Sequence, residues 1–275
     1  MPETQGSHGD PGILDRIVRS KKMEVRALAV REAEFLGRLQ EAPPSRGLEK
    51  ALRRGSEVAL MAEVKRRSPG AGPIRPDLVP SELAAAYQGA GAAAISVLTD
   101  RDYFGGSMED LAEVRASVGI PVFRKDFIIH PVQLLEARVG GADGILLIAR
   151  ILAEDELRDL HSRALELGMD PLVEIHGREE LEKALAAGAR LIGVNNRNLQ
   201  TFTATLEVTL DLLPGIPQHV AVVSESGIRT PREVETLGRA GVDGVLVGET
   251  LLRASDPGAA AAKLAGLPRV GRTSD

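Results

Sequence analysis

The strongest constraint on the fold is an alternation that begins near residue 58. Short apolar runs, which predict strands, alternate with longer amphipathic stretches, which predict helices. The predicted strands are 58–64, 93–98, 120–124, 143–148, 171–175, 190–195, 219–223 and 243–247. The predicted helices are 80–90, 108–117, 131–139, 153–167, 178–187, 205–213, 230–240 and 256–265. Strands that alternate with helices indicate a parallel sheet, and eight strands suffice to close a barrel that is filled by its own side chains.

The composition is consistent with such an α/β fold. Hydrophobic residues make up 43% of the 275-residue chain, but aromatic residues only 3%, so the core consists mainly of aliphatic side chains, as in parallel sheets covered by helices. An open, doubly wound sheet is the rival architecture. It usually has fewer strands and a glycine-rich nucleotide loop after the first one, and neither common form of that loop is present. We therefore predict a (β/α)8 barrel.

The chain divides into four predicted parts. Residues 1–12 are polar and predict a disordered tail, 13–45 predict a helical extension that ends at a Pro-Pro pair, 46–267 form the barrel, and 268–275 form a C-terminal tail. The apolar positions of the extension predict its buried side: Leu14, Ile17, Val18, Met23, Val25 and Leu28.

Several classes of function are disfavoured by composition. There is no Cys, which excludes disulfides and thiolate chemistry, and the five His show no metal-ligand spacing, so we expect no metal. A net charge of −5 argues against a nucleic-acid surface. No 18-residue apolar run and no signal peptide are present, and we expect a monomer in the cytoplasm with no membrane contact.

Polar and ionisable residues occur at the ends of the predicted strands. Glu63 and Lys65 lie two positions apart, and their side chains therefore point the same way. Others end the later strands or follow them directly: Lys125, Glu174, Asn195, Arg197, Glu225 and Ser226. One such residue is ordinarily a solvated strand end. Five strands that bring charges to one edge predict an active site, because such charges are costly to bury unless they pair or act.

The loops after the last two strands predict a phosphate site. Ser226 and Gly227 follow the seventh strand, and Gly248 and Glu249 follow the eighth. These loops form the usual phosphate site of such barrels, with backbone N–H groups as donors. Ser68, after the first strand, could close the same site. Glu249 fits only if its carboxylate turns away from the phosphate.

An apolar wall is also predicted near the strand ends. Its members are Phe104, Phe127, Leu146, Leu199 and Leu246. Core packing explains the two leucines that lie on strands. Phe104 lies in a predicted loop, where a flat ring in the substrate would account for a large aromatic side chain.

The order of these segments resembles the indole-3-glycerol phosphate synthase family. Six segments carry the resemblance, together with the turn at Gly248: 62–69, 96–107, 124–128, 172–176, 192–199 and 224–228. They run in order along nearly the whole barrel. The resemblance implies a TIM barrel with an N-terminal helical segment. It also implies conversion of 1-(2-carboxyphenylamino)-1-deoxyribulose 5-phosphate to indole-3-glycerol phosphate, with loss of carbon dioxide and water and without a cofactor or metal.

The resemblance also implies roles for the residues above. Lys125 would be the general acid of ring closure and Glu174 a base, with Glu63, Asn195 and Glu225 around the reacting centre. Lys65 would bind the carboxylate that is lost or share the acid role, and Arg197 would orient the substrate. We expect the proximity of the two lysines to lower the pKa of both, against the effect of the carboxylates.

Departures and rival functions remain. Some family members cover the anthranilate ring with an N-terminal aromatic residue; this chain has no Trp, which leaves Leu14 or Ile17, or no residue, in that place. One rival is an aldolase that forms a Schiff base on Lys125. The other is a barrel without activity, which is disfavoured because none of the expected charged positions is lost.

Overall fold

The parallel sheet closes on itself in a computed structural model that describes residues 12–198, 201 and 203–272. Its strands are β1 (Ala59–Val64), β2 (Ala94–Leu98), β3 (Val122–Lys125), β4 (Gly144–Ile148), β5 (Asp170–Ile175), β6 (Leu191–Asn195), β7 (Ala221–Glu225) and β8 (Gly244–Val247). Each strand pairs in parallel with its neighbours in sequence, and β8 pairs with β1, where Ala59 lies opposite Gly244. The predicted barrel is confirmed, and each strand boundary lies within two residues of its prediction.

Helices precede and follow these strands. In the described part of the chain they are α1 (Ile13–Ala29), α2 (Glu32–Arg38), α3 (Leu48–Leu52), α4 (Pro80–Gly89), α5 (Arg101–Phe104), α6 (Met108–Ser117), α7 (Pro131–Val139), α8 (Glu154–Glu166), α9 (Arg178–Ala186), α10 (Glu207–Leu212), α11 (Pro231–Ala240), α12 (Glu249–Leu252) and α13 (Pro257–Ala262). Short 3-10 turns cover Leu39–Glu41 and Leu213–Gly215, and a small hairpin joins Arg67–Ser68 to Gly72–Pro73. Helix α3 and the hairpin were not predicted.

Alternation along each strand separates two cores. In β1 the side chains of Leu60, Ala62 and Val64 belong to the layer between the sheet and the helices, whereas Ala59 and Met61 belong to the interior of the barrel. Glu63 continues the interior row. The same relation places the side chain two positions after Phe123, which is Lys125, at the upper end of the interior. Interior packing therefore fixes the direction of the polar strand-end side chains.

The lower end of the barrel is closed by α3. Leu48 and Leu52 are fully buried and belong to the interior cluster of the strands. Gly144 on β4 makes room for this packing, because a Cβ there would collide with the Leu48 side chain. The interior of the barrel is therefore filled from below, and its open end is the one formed by the carboxyl ends of the strands.

The N-terminal extension packs beside that upper end. Helices α1 and α2 pack against α7, with Val25 and Phe35 against Val132 and Leu135. The buried face of α1 repeats every four residues through Ile17, Lys21 and Val25. The expectation that Met23 is buried was wrong: its side chain is 62% exposed, because two residues after Lys21 the helix has turned by about 200°.

The predicted division into four parts stays a prediction. Residues 1–11 and 273–275 lie outside the described residues. Residues 268–272 contact the base of the barrel: Pro268 pairs with Glu57, and the Arg269 backbone N–H donates to the Ser56 carbonyl at 2.8 Å.

Candidate active site

One cavity of about 200 Å³ opens at the carboxyl ends of the strands. The predicted site residues that line it are Glu63, Lys65, Ser68, Phe104, Lys125, Phe127, Leu146, Glu174, Asn195, Arg197, Glu225, Ser226, Gly227, Leu246, Gly248 and Glu249. Leu199, the remaining predicted residue, lies outside the described residues. The strands thus bring into one cavity the side chains that were selected from the sequence because they lie at or near strand ends. The roles of these side chains stay predictions.

Lys125 lies at the centre of the charged part of the cavity. Its Nζ donates a hydrogen bond to Glu225 Oε2 at 2.7 Å and lies 3.7 Å from Glu174 Oε2. Burial lowers the pKa of Lys125, but the negative charges of Glu225, Glu174 and Glu63 outweigh burial and raise that pKa well above its ordinary value. Of the two opposed effects expected on this pKa, the second lysine and the carboxylates, the carboxylates dominate at Lys125. Lys125 is a cation in the free site.

Glu225 is the most deeply buried of these acids, with 1% of its surface exposed. Burial, opposed by Lys125 and assisted by Glu174, raises the pKa of Glu225 to about 7. Its Oε1 atom has no hydrogen-bond partner among the described residues. Burial of a carboxylate without full hydrogen bonding destabilises the folded protein. The result is an acid held directly beside Lys125.

A second ion pair lies next to the first. Lys65 Nζ donates a hydrogen bond to Glu63 Oε1, as expected for two side chains on the same side of one strand. Two glycines make room for the buried acids: a Cβ on Gly248 would overlap Glu63 Oε1, and one on Gly193 would overlap Glu225 Oε1. The backbone of the neighbouring strands thus packs directly against the carboxylates.

The sequence analysis did not predict His176, which lies next to Glu174. His176 Nε2 lies 3.6 Å from Glu174 Oε1, and His176 Nδ1 lies 3.2 Å from Glu180 Oε2. Burial lowers the pKa of His176, but the hydrogen bond to Glu180 and the charge of Glu174 raise it above the ordinary value. The available signal was the position of His176 directly after a strand whose end carries a candidate base.

Asn195 and Arg197 follow β6 on the same side of the cavity. Asn195 Oδ1 accepts a hydrogen bond from the Arg197 backbone N–H at 3.0 Å, which fixes the chain as it leaves the strand. The Arg197 guanidinium lies 3.9 Å from Glu249 Oε2 and is one third exposed, at the rim of the cavity. A guanidinium at this rim can bind an anionic group of a ligand.

The predicted phosphate loops turn sharply beside the cavity. Ser226 and Gly227 both have positive φ, 66° and 82°, the left-handed conformation that turns the chain sharply after β7. Gly248 precedes α12, and Glu249 in its first turn binds Arg253 at 2.8 Å. Burial raises the pKa of Glu249, but Arg253 outweighs burial and lowers that pKa, so the carboxylate is ionised and is held by Arg253, the residue that follows α12.

The apolar wall faces the charged centre. The rings of Phe104 and Phe127 pack at 6.1 Å between centroids, and Leu14 and Ile17 of α1 also line the cavity. Phe104 was expected in a loop but ends the four-residue helix α5. Asp100 caps that helix by accepting from the Tyr103 N–H at 2.8 Å. A single helical turn is too short to show the periodicity on which the prediction depended.

Two further observations bear on ligands and location. Among the described residues, no group of three or more His, Asp or Glu side chains could hold a metal ion. Within the same ranges, no helix combines the length and the apolar character needed to cross a membrane.

Comparison with known proteins adds relatives that share most of the chain. The family model described as "Indole-3-glycerol phosphate synthase" matches residues 14–264. The indole-3-glycerol phosphate synthase of Bordetella pertussis is 47% identical over 257 residues, which cover 92% of this chain and 98% of the relative. That of Carboxydothermus hydrogenoformans is 46% identical over 257 residues, covering 90% and 97%.

A solved structure supports the fold alone. Thiamine phosphate pyrophosphorylase from Pyrococcus furiosus superposes with a TM-score of 0.59 at 18% identity and covers 79% of this chain and 96% of its own.

Proposed function

The chain belongs to the indole-3-glycerol phosphate synthase family, and on that premise we propose how its residues form indole-3-glycerol phosphate in tryptophan biosynthesis. The substrate of the proposed reaction is 1-(2-carboxyphenylamino)-1-deoxyribulose 5-phosphate. The proposed enzyme is a carboxy-lyase that needs no cofactor. We further propose that it acts as a monomer in the cytoplasm.

Lys125 is the proposed general acid of ring closure. The ring carbon that bears the carboxylate attacks the ketone carbon, a carbon–carbon bond forms, and the ketone oxygen gains negative charge. An ammonium group beside that oxygen stabilises the charge and donates the proton. The raised pKa of Lys125 supports this role, because it keeps the amine protonated until the oxygen becomes more basic than the amine.

The later steps need a base and an acid. Carbon dioxide leaves and restores the aromatic ring. The new hydroxyl group then leaves as water, while the carbon next to nitrogen loses a proton. Glu174 is the proposed base for that proton, since its Oε2 lies 3.7 Å from Lys125 Nζ and its Oε1 lies 3.6 Å from His176 Nε2, at the centre of the charged part of the cavity. Lys65 either binds the departing carboxylate or shares the acid role.

The remaining residues bind the two ends of the substrate. The phosphate is proposed to bind at Ser68 and at the turns after β7 and β8, where Ser226, Gly227 and Gly248 offer backbone N–H groups. The anthranilate ring is proposed to lie on the apolar wall, and Arg197 orients the substrate at the rim. The reacting carbons then lie over the charged centre, in reach of Lys125 and Glu174.

One observation carries this proposal: Glu63, Lys65, Lys125, Glu174 and Asn195 line a single cavity next to the two turns. Purified protein is tested for formation of indole-3-glycerol phosphate, with Lys125→Met and Glu174→Gln as variants and exposed Lys263→Met as the control. Loss of an acid or base slows turnover by about 10²–10⁴-fold. Retention of the wild-type rate by both variants would refute the assigned roles.

The Schiff-base aldolase is the alternative that the site disfavours. A Schiff base forms from a neutral amine, whereas the raised pKa of Lys125 keeps that amine protonated. Borohydride added with substrate therefore leaves the mass of the protein unchanged in our proposal. A covalent adduct on Lys125 would support the aldolase instead.

A further inference from the structure

The N-terminal helix α1 carries a buried lysine that the proposed mechanism does not use. The Lys21 side chain is 2% exposed, and its Nζ lies 2.7 Å from Glu24, 2.9 Å from Asp126 and 3.0 Å from Asp100. Burial lowers the pKa of Lys21, but Asp126 and Asp100 outweigh burial and raise it well above the ordinary value. An ammonium ion buried this deeply requires such partners. Removal of any one of these charges would leave the others buried without full compensation.

The two aspartates belong to the loops that hold the apolar wall. Asp100 follows β2 and caps α5, the helix that ends at Phe104. Asp126 follows β3 directly after Lys125, and its Oδ1 accepts from the Phe127 N–H at 2.8 Å. Lys21 therefore contacts both loops at the residues that fix the position of each phenylalanine.

Asp126 is itself held from the other side. Its Oδ2 accepts from Thr99 Oγ1 at 2.6 Å and from the Arg124 guanidinium at 3.0 Å. Burial raises the pKa of Asp126, but Arg124 and Lys21 outweigh burial and lower it well below the usual range. The carboxylate is thus a fixed negative point at the end of β3, and Lys21 is its link to α1.

The same face of α1 reaches the cavity. Ile17 and Leu14 lie four and seven residues before Lys21, which places the three side chains on one side of the helix. Both apolar residues line the cavity that Phe104 and Phe127 also line. A second contact holds the helix nearby, since Ser20 Oγ donates to Asp102 Oδ2 at 2.9 Å.

We propose that Lys21 is a positioning residue for the aromatic half of the substrate, because it holds the cavity-lining face of α1 against the loops that carry Phe104 and Phe127. This inference rests on the proposed function, which supplies an aromatic ring to bind there. Lys21 does not touch the ligand. It sets the width of the apolar slot between α1 and the two phenylalanines. The ion-pair partners of Lys21 are Glu24, Asp100 and Asp126, and none of them lies in the turns after β7 and β8 that are proposed to bind phosphate.

The test separates the two halves of the substrate by using two probes. Anthranilate and inorganic phosphate are each titrated as competitive inhibitors of indole-3-glycerol phosphate formation, against wild-type protein, Lys21→Met, Lys21→Arg and Lys22→Met. Lys22 is the adjacent, exposed lysine and serves as the matched control. We expect Lys21→Met to weaken inhibition by anthranilate about tenfold, the size of a modest loss of fit in an apolar pocket. Inhibition by phosphate stays within twofold, KM rises more than kcat falls, and Lys21→Arg recovers part of the loss.

Each other outcome is decisive. Equal weakening of both probes would mean that Lys21 only stabilises the fold, and behaviour like Lys22→Met would mean that it has no role in binding; either result overturns the proposal. Should Lys21→Met fail to fold, Leu14→Ala tests the same slot from the half-buried end of α1, and unchanged inhibition by anthranilate in that variant overturns it as well. Failure of the proposed function is distinguishable, because wild-type protein would then form no product.

Discussion

Glu225 provides a direct test of how a buried carboxylate in this site lowers the stability of the folded protein. Its carboxyl is buried beside two other acids, and its pKa is raised to about 7 from an ordinary value of 4.5. Below pH 4.5 the group is protonated in both the folded and the unfolded chain, and it therefore does not change the free energy of unfolding there. Between pH 4.5 and 7 the unfolded chain loses this proton while the folded chain keeps it, so that stability falls as the pH rises.

The difference of pKa sets the size of the effect. At about 1.4 kcal/mol for each pKa unit, the gap between 4.5 and about 7 corresponds to about 3–4 kcal/mol of lost stability above pH 7. Glu225→Gln is isosteric and removes the ionisation. The variant also removes the closest partner of Lys125, which keeps Glu174 at 3.7 Å. We therefore expect Glu225→Gln to stabilise the protein by about 1–3 kcal/mol at pH 8 and to leave stability nearly unchanged at pH 4.5.

Urea unfolding at the two pH values measures this directly. Exposed Glu182→Gln, on α9, is the matched control and should change little at either pH. Turnover by Glu225→Gln should fall, since Glu225 accepts a hydrogen bond from Lys125, the proposed general acid. A variant that is destabilised at pH 8 as much as at pH 4.5 would refute the reasoning, because Glu225 would then stabilise the fold through its pair with Lys125.

Two further predictions concern neighbours of the charged centre. The pKa of His176 is raised despite burial, so its ion pairs stabilise the fold fully below its unfolded pKa of about 6.5, and that stabilisation is lost as the pH rises through the folded value. Urea unfolding of His176→Gln should therefore show a larger loss of stability at pH 6 than at pH 9, and an equal loss at both would contradict the assignment. Gly248→Ala should displace the Glu63 carboxylate and lower turnover at least about tenfold. Gly37→Ala, where a Cβ meets no described atom within 4 Å, should not change turnover, and a similar rate in both variants would show that the close packing on Glu63 is unimportant.

The alternation of apolar and amphipathic stretches was enough to predict the barrel, because the same strand-and-helix pattern occurs eight times along the chain. The direction of the site residues followed as well, since a side chain two positions after an interior residue points the same way. Lys21 could not be found by this reasoning: a charged residue on an amphipathic helix indicates a solvated face, and its partners Asp100 and Asp126 are distant in sequence. The direction of the Lys125 pKa shift was left open for a related reason, because it depends on distances to three carboxylates on other strands. Short elements such as α5 lack a repeat to detect.

The closure of the barrel base by α3 has a consequence for traffic through the enzyme. Leu48 and Leu52 fill the interior at the lower end of the barrel, so substrate reaches Lys125, and product leaves it, through the opening at the upper end, beside α1. A molecule that plugs this entrance therefore blocks arrival and departure at once, and it can do so without reaching Lys125.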